Sequence, residues 1–335
     1  MKDLIVSNAV MSFLEEVSTP TFESVSEYTR SIMTKMENGV ILTSKGMVYS
    51  DSTIRIYKSF LTYFESFENQ IGRKIMFHDV NHKFGEVFKK FLSEQDITKN
   101  TISAIVKKFK AVLGFAFRDG ISLYNGSGLQ APTEKTTKIY LTKSELQKMK
   151  QAKLTDGQEK VLDVFLVQCF TGMRYSTLLK FLKSPIAYIH EYESDSYIDI
   201  VADKTDEQCV IPLSTVVIET ITKYGGVMPI YSEEYVNKTL KVIGKESGID
   251  TLIPIRITKG GTLKESLVPK YTQISTHSAR RTLISLLKQE KGVESKQIIG
   301  VTGHTSEKQM ESYNRSTKFE IVLPILKHEF FKKNI

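Results

Sequence analysis

The chain has 335 residues, with 46 Lys and Arg against 38 Asp and Glu, a formal net charge of +8. Its hydrophobic fraction of 41% and charged fraction of 25% are those of a globular protein, and the length suits two domains. No apolar run reaches the roughly 20 residues of a membrane-spanning helix, and residues 1–10 lack the sections of a secretion signal. The two cysteines, Cys169 and Cys209, lie in apolar stretches and make neither a disulfide framework nor a zinc site. They read as buried thiols in a reducing cytoplasm.

In chain order, the first third is helical. Val25 to Asn38 is periodic, and Asp51 or Ser52 is suited to cap a helix over Thr53–Glu68. There Ile54, Tyr57, Phe60, Leu61 and Phe64 form an apolar stripe that needs a partner helix. Phe84–Leu92 and Thr101–Arg118 repeat the pattern, so a bundle of four or five helices is expected, with its aromatics in the core. Between Lys83 and Arg118 there are eight Lys or Arg against three Asp or Glu. Lys107, Lys108 and Lys110 share one predicted helix and are candidate DNA contacts, although a solvated helical face has the same composition.

Asn125 to Pro132 is rich in turn formers and Thr133–Lys138 is polar, which marks a linker. The expected division is a helical domain over 1–128, a linker over 129–137 and a second domain over 138–335. Thr142 and Glu145 have capping-box spacing, and a second helix covers about Gln158–Phe170. Ser196–Val201 and Gln208–Leu213 flank Asp203-Lys-Thr-Asp206 as a hairpin, and a further strand pair flanks Lys259-Gly-Gly261. Helices are expected near Glu233–Ser247, His277–Lys288, Ser295–Val301, Ser306–Tyr313 and Phe319–Phe331. The fold class is mainly α with small antiparallel β ribbons.

Four stretches of the second part can carry chemistry. In Thr171-Gly-Met-Arg-Tyr-Ser176, Gly172 lets the backbone turn and Arg174 follows an apolar helix. Lys204 sits in the hairpin. His277-Ser-Ala-Arg280 puts two polar groups one helical turn apart on one face. Thr302-Gly-His304 is followed nine residues later by Tyr313. Each has a plainer reading: arginines commonly pair with structural carboxylates, hairpin lysines are commonly solvated, and Lys180 and Lys183 are neighbouring rivals of Lys204.

Taken as an ordered set, these stretches resemble the tyrosine recombinase (phage integrase) family. All six of its functional positions appear in order: Arg174, Lys204, His277, Arg280, His304 and Tyr313. The likeness covers roughly 136–335. It is looser over the first part, where Ser52-Thr-Ile-Arg-Ile-Tyr57 looks like the helix entry common in the family's core-binding (SAM-like) domain. The ribbon over Thr258–Ser275 looks most like integrases of mobile elements. In two places the chain departs from the pattern: Thr177 stands where an acidic residue is common, and Arg281 where a His is frequent. Arg281 is a candidate phosphate contact.

The resemblance implies an enzyme that cuts and rejoins DNA through a 3′-phosphotyrosine at Tyr313, without metal, ATP or other cofactor. Arginine forks suit phosphodiester oxygens, so Arg174 and Arg280 are assigned to the transition state, with His304 as a further donor. A phenol's ordinary pKa is about 10, so His277 is assigned to accept its proton and Lys204 to protonate the leaving 5′-oxygen. The implied architecture is a two-domain clamp on double-stranded DNA at core-type sites. A free chain is expected to be a monomer, and synapsed DNA to hold a homo-tetramer. Phe319–Ile335 is expected to be a docking tail, built on Val322, Leu323, Leu326, Phe330 and Phe331. With about 20 residues before the first helix, an arm-site domain is expected to be missing or reduced. Accessory bending or directionality factors and a cytoplasmic, nucleoid-associated location complete the expectation. Integration or excision of a mobile element is the leading role. Chromosome-dimer resolution or inversion with the same chemistry, and a DNA-binding protein without turnover, are the alternatives.

Overall fold

The computed structural model describes residues 24–193 and 195–315. The expected helix Phe319–Phe331 and the docking tail lie outside the described residues. Two compact units emerge. One comprises the described residues up to Thr136 together with Arg256–Glu265. The other comprises Thr137–Ile255 and the described residues from Ser266 onward.

The first unit is built on α1 (Val25–Glu37), α2 (Asp51–Ile71), α3 (His82–Glu94) and α4 (Lys99–Arg118). The stripe read from the sequence is its core: Tyr57, Phe60, Phe64, Phe88 and Phe109 are buried. Phe60 stacks on Phe109 at 5.6 Å, and Phe64 meets Phe88 edge-on at 5.2 Å. Ser50 caps α2, its hydroxyl accepting from the Thr53 amide, while Asp51 falls in the first turn. The cap thus lies one residue before the expected Asp51 or Ser52, and the Asp51 carboxylate faces the positive end of the helix dipole. Buried Glu68 is satisfied by the Ile75 amide at 2.9 Å and the Lys74 ammonium at 2.9 Å. Leu129, the first residue of the expected linker, is buried in this core.

The second unit contains α5 (Lys143–Gln151), α6 (Asp156–Thr171), α7 (Tyr175–Lys183), α8 (Thr215–Lys223), α9 (Glu233–Glu246), α10 (Thr276–Gln289), α11 (Ser295–Thr302) and α12 (Glu307–Glu311). The predicted capping box opens α5: the Thr142 amide donates to Glu145 at 2.8 Å, and the Glu145 amide to Thr142 at 3.2 Å. A three-stranded antiparallel sheet is formed by β1 (Ile189–Tyr192), β2 (Asp195–Val201) and β3 (Gln208–Pro212). The expected hairpin is therefore the β2–β3 half of a larger sheet, in register Val201↔Gln208. The second ribbon pairs β4 (Leu252–Lys259) with β5 (Thr262–Pro269) through Gly260 and Gly261, both at positive φ, as a two-residue turn of this hand requires. Its tip belongs to the first unit, where the Thr258 amide donates to Glu134 at 3.0 Å and Lys259 pairs with Asp96 at 2.7 Å. A continuous second domain over 138–335 does not anticipate this. Among the described residues no helix is long and apolar enough to cross a membrane.

Candidate active site

All six expected site residues fall in the second unit. Gly172 ends α6 in the left-handed conformation at φ 65, and a Cβ there would lie 2.6 Å from Leu283. This turn releases Arg174 as the first residue before α7. Arg280 projects from α10 and is 2% exposed. Its Nη1 donates to the Gly172 carbonyl at 2.7 Å and its Nη2 to the Thr302 carbonyl at 2.6 Å. Two of the four motif stretches thus hold a third in place.

His304 follows the left-handed turn at Gly303 and is 2% exposed. Thr302 Oγ1 donates its only proton to the Ile298 carbonyl at 2.6 Å. It must therefore accept at its 2.7 Å contact with His304 Nδ1, which puts the imidazole proton on Nδ1. Arg280 Nη2 lies 3.1 Å from Nε2 and 3.2 Å from Nδ1, and of these two nitrogens only the unprotonated Nε2 can accept from it. In this arrangement His304 lies against the Arg280 guanidinium and keeps its neutral-form proton on Nδ1. Burial first, then the charges of Arg280 and Arg174, pull its pKa down to about 3, so it is neutral at pH 7.

Tyr313 sits in the turn after α12, half-buried, with its amide donating to the Met310 carbonyl at 2.9 Å. Its ring lies 5.0 Å from that of His304 and 5.5 Å from the Arg280 guanidinium carbon. Arg174, Arg280, His304 and Tyr313 therefore share one locus. Among the described residues neither arginine pairs with a carboxylate, which removes the plainer reading of them as structural ion pairs. Arg174 Nη1 and Arg280 Nε are buried without any hydrogen-bond partner. Burial, reinforced by the nearby Arg174 charge, lowers the Arg280 pKa to about 10. Two adjacent guanidiniums with unspent buried donors are suited to binding an anion.

His277 and Lys204 are exposed, with the charges of Lys204 and Arg280 acting on His277. The start of α10 is fixed by the Thr276 amide donating to Asn237 at 2.8 Å and the Thr276 hydroxyl to Glu233 at 2.6 Å. Partial desolvation lowers the His277 pKa, with Glu233 opposing and the charges of Arg281, Lys204 and Arg280 adding to it. The hairpin tip is pinned on both sides of Lys204. The Asp203 amide donates to Thr177 at 3.4 Å, and the Thr205 hydroxyl to the Gly303 carbonyl at 3.3 Å. Thr177, buried in the acidic position of the family pattern, thus serves as a hairpin anchor. Among the described residues no hydrogen bond joins His277 or Lys204 to Tyr313.

Of the expected DNA contacts, Lys107 is exposed. Lys108 lies over the Tyr57 ring at 4.4 Å, and Lys110 is half-buried. Arg281 is half-buried, donating to the Ile139 carbonyl at 3.4 Å. Lys138 and Arg315, which no motif singled out, lie next to Arg281. Lone cations carry no sequence signal, and only the packing brings them together.

Residues 24–127 match the phage integrase SAM-like domain family. No curated relative matches the chain in sequence. Among solved structures, XerH site-specific recombinase bound to palindromic difH substrate in a post-cleavage complex superposes with a TM-score of 0.64 at 12% identity, covering 91% of this chain and 95% of that one. The Tn1549 transposon integrase in complex with a circular intermediate DNA gives 0.62 at 14% identity, over 91% and 99%. Lambda integrase bound to a COC′ core site gives 0.58 at 18%, over 84% and 95%. The class defined here is the tyrosine recombinase fold. The chain has that fold, and residues 24–127 carry a phage integrase SAM-like domain, so the fold that the resemblance implied is borne out.

Proposed function

We propose that the chain is a site-specific DNA recombinase that cleaves and rejoins one strand at a time through Tyr313. The carrying observation is the locus around Arg280: two guanidiniums with unspent buried donors, no carboxylate partner, and a tyrosine ring 5.5 Å away. A phosphodiester matches those donors, being a single anion with two acceptor oxygens. Arg174 and Arg280 hold those oxygens and stabilise the charge that builds on them during attack. His304 keeps the Arg280 fork oriented.

Tyr313 Oη forms a bond to phosphorus as the bond to the 5′-oxygen breaks. The phenol proton passes to His277, whose lowered pKa favours the neutral form that can accept it. Lys204 gives a proton to the departing 5′-oxygen. The phosphotyrosine keeps the energy of the broken bond, and a 5′-hydroxyl from another strand reverses the step. A complete exchange cuts two duplexes twice each and so needs four protomers. Double-stranded DNA with core-type sites is the partner, and integration or excision of a mobile element is the role this reading favours.

The test is recovery of covalent protein–DNA adducts from a pool of randomised duplexes nicked near their centres, which also identifies the cleaved sequence. Adducts are expected with the wild-type chain and none with Tyr313→Phe, at nearly unchanged DNA affinity. Adducts formed by Tyr313→Phe would show that another residue is the nucleophile. Binding without adducts by the wild-type chain would favour a DNA-binding protein without turnover.

A further inference from the structure

A second group of cations gathers beside Tyr313. Successive side chains on a helix diverge by about 100°, so Arg280 reaches toward Gly172 while Arg281 reaches the Ile139 carbonyl at 3.4 Å, next to Lys138. Ser285 stands one turn beyond Arg281 on α10, and its hydroxyl accepts from the Arg315 amide at 2.9 Å. Three chain segments therefore bring Lys138, Arg281 and Arg315 together.

Among the described residues no carboxylate pairs with any of the three. Arg315 Nη1 donates to the Asn314 carbonyl at 2.8 Å and Nη2 to the Ser312 carbonyl, while its Nε is buried with no partner. Burial lowers the pKa of Arg281 and of Arg315. Exposed Lys138 is lowered by partial desolvation and then by the charges of Arg315 and Arg281, so the three repel one another as they stand. Such a cluster is stabilised by an anion that accepts at several points.

We propose that Lys138, Arg281 and Arg315 form a second phosphate site, which takes a backbone phosphate neighbouring the scissile one and sets the register of the strand against Tyr313. This rests on the strand-cleavage reading of Tyr313. Charges recur along one DNA strand about every 3.4 Å of axis, so a strand whose scissile phosphate meets Arg174 and Arg280 carries further phosphates past the same helix. An acidic protein segment is the competing occupant. The phosphate is favoured because arginine forks match its oxygens and because the strand is already present at Tyr313.

The experiment uses the full chain and a duplex recovered as an adduct, remade with one uncharged methylphosphonate at each of the three positions on either side of the scissile phosphate. Single-turnover cleavage by the wild-type chain is expected to fall about tenfold or more at one flanking position. Lys138→Gln and Arg315→Gln are expected to lose a similar factor on the unmodified duplex, and to lose nothing more at that position. Lys138 is exposed, so its replacement keeps the fold even if that of Arg315 does not. Full-rate cleavage whichever flanking phosphate is neutralised would overturn the second site and leave strand cleavage intact. So would variant losses that simply add to the methylphosphonate loss at every position. Variants that cleave normally but lose self-association in sedimentation would assign the site to an acidic protein segment instead. Failure of the wild-type chain to form an adduct with any duplex would overturn both readings.

Discussion

Arg280 is tied by the carbonyls of Gly172 and Thr302, whereas Arg174 is only half-buried and has no carbonyl holding it. The two should therefore respond differently to the same replacement. Lysine is a point charge that cannot span both carbonyls. Arg280→Lys would leave at least one buried acceptor unpaired, a cost of about 1–3 kcal/mol, so both the melting temperature and the rate of adduct formation should fall. Arg174→Lys should lower the adduct rate with little change in melting. Equal destabilisation by the two would contradict the separate structural role given to Arg280. His304 adds a pH dependence. Its folded pKa is about 3 against an ordinary 6.5, so between these values the unfolded chain binds a proton that the folded chain refuses. Stability is then lost progressively as pH falls from about 6.5 toward 3, and the lowered His277 acts in the same direction. Denaturation midpoints measured from pH 7 to pH 4 should fall less steeply for His304→Gln than for the wild type. Parallel curves would show that His304 is protonated in the folded chain.

Under the proposed strand cleavage, the element to test first is the β2–β3 tip, because it carries Lys204. Its two pins are single hydrogen bonds at 3.4 and 3.3 Å, so they position the loop without freezing it. Thr177→Val and Thr205→Val should each slow cleavage several-fold, on the order of one lost hydrogen bond. A substrate with sulfur in place of the leaving 5′-oxygen should restore the rate, since a thiolate departs without a proton. A rate that stays low on the sulfur substrate would mean that the pins serve something other than proton delivery. The helices of the first unit were legible because aromatic residues recur at helical spacing, and the α5 cap because Thr142 and Glu145 have few other uses at that distance. β1 was not, because as an exposed strand it lacks the alternation that marks a buried face. α8 was missed for the opposite reason. Thr215–Lys223 is rich in β-branched residues, and only the helical spacing of its buried Val217, Thr220 and Ile221 betrays it. The site motifs stood out by order and spacing. The anchoring role of Thr177 did not, because it depends on a hairpin 26 residues away.

At the scale of the whole molecule, three hydrophobic core clusters form among the described residues, and the full sequence carries a net charge of +8. Composition alone could not say which lysines face a partner. α4 shows why, since its lysines divide between two uses. Lys107 is exposed, whereas Lys108 lies on the Tyr57 ring at 4.4 Å with its pKa lowered by burial. Each phosphate contact contributes about −0.9 to the slope of log affinity against log salt on duplex DNA. If α4 meets the backbone, Lys107→Gln should make that slope shallower by about one such step. Lys108→Gln should leave the slope alone and lower the melting temperature, having lost a cation–π contact of about 0.5–1 kcal/mol. Titrations of one duplex at four or five salt concentrations separate the two. Equal slope changes for both lysines would mean that Lys108 leaves Tyr57 to reach DNA, and no change for either would move the backbone contact off α4 altogether.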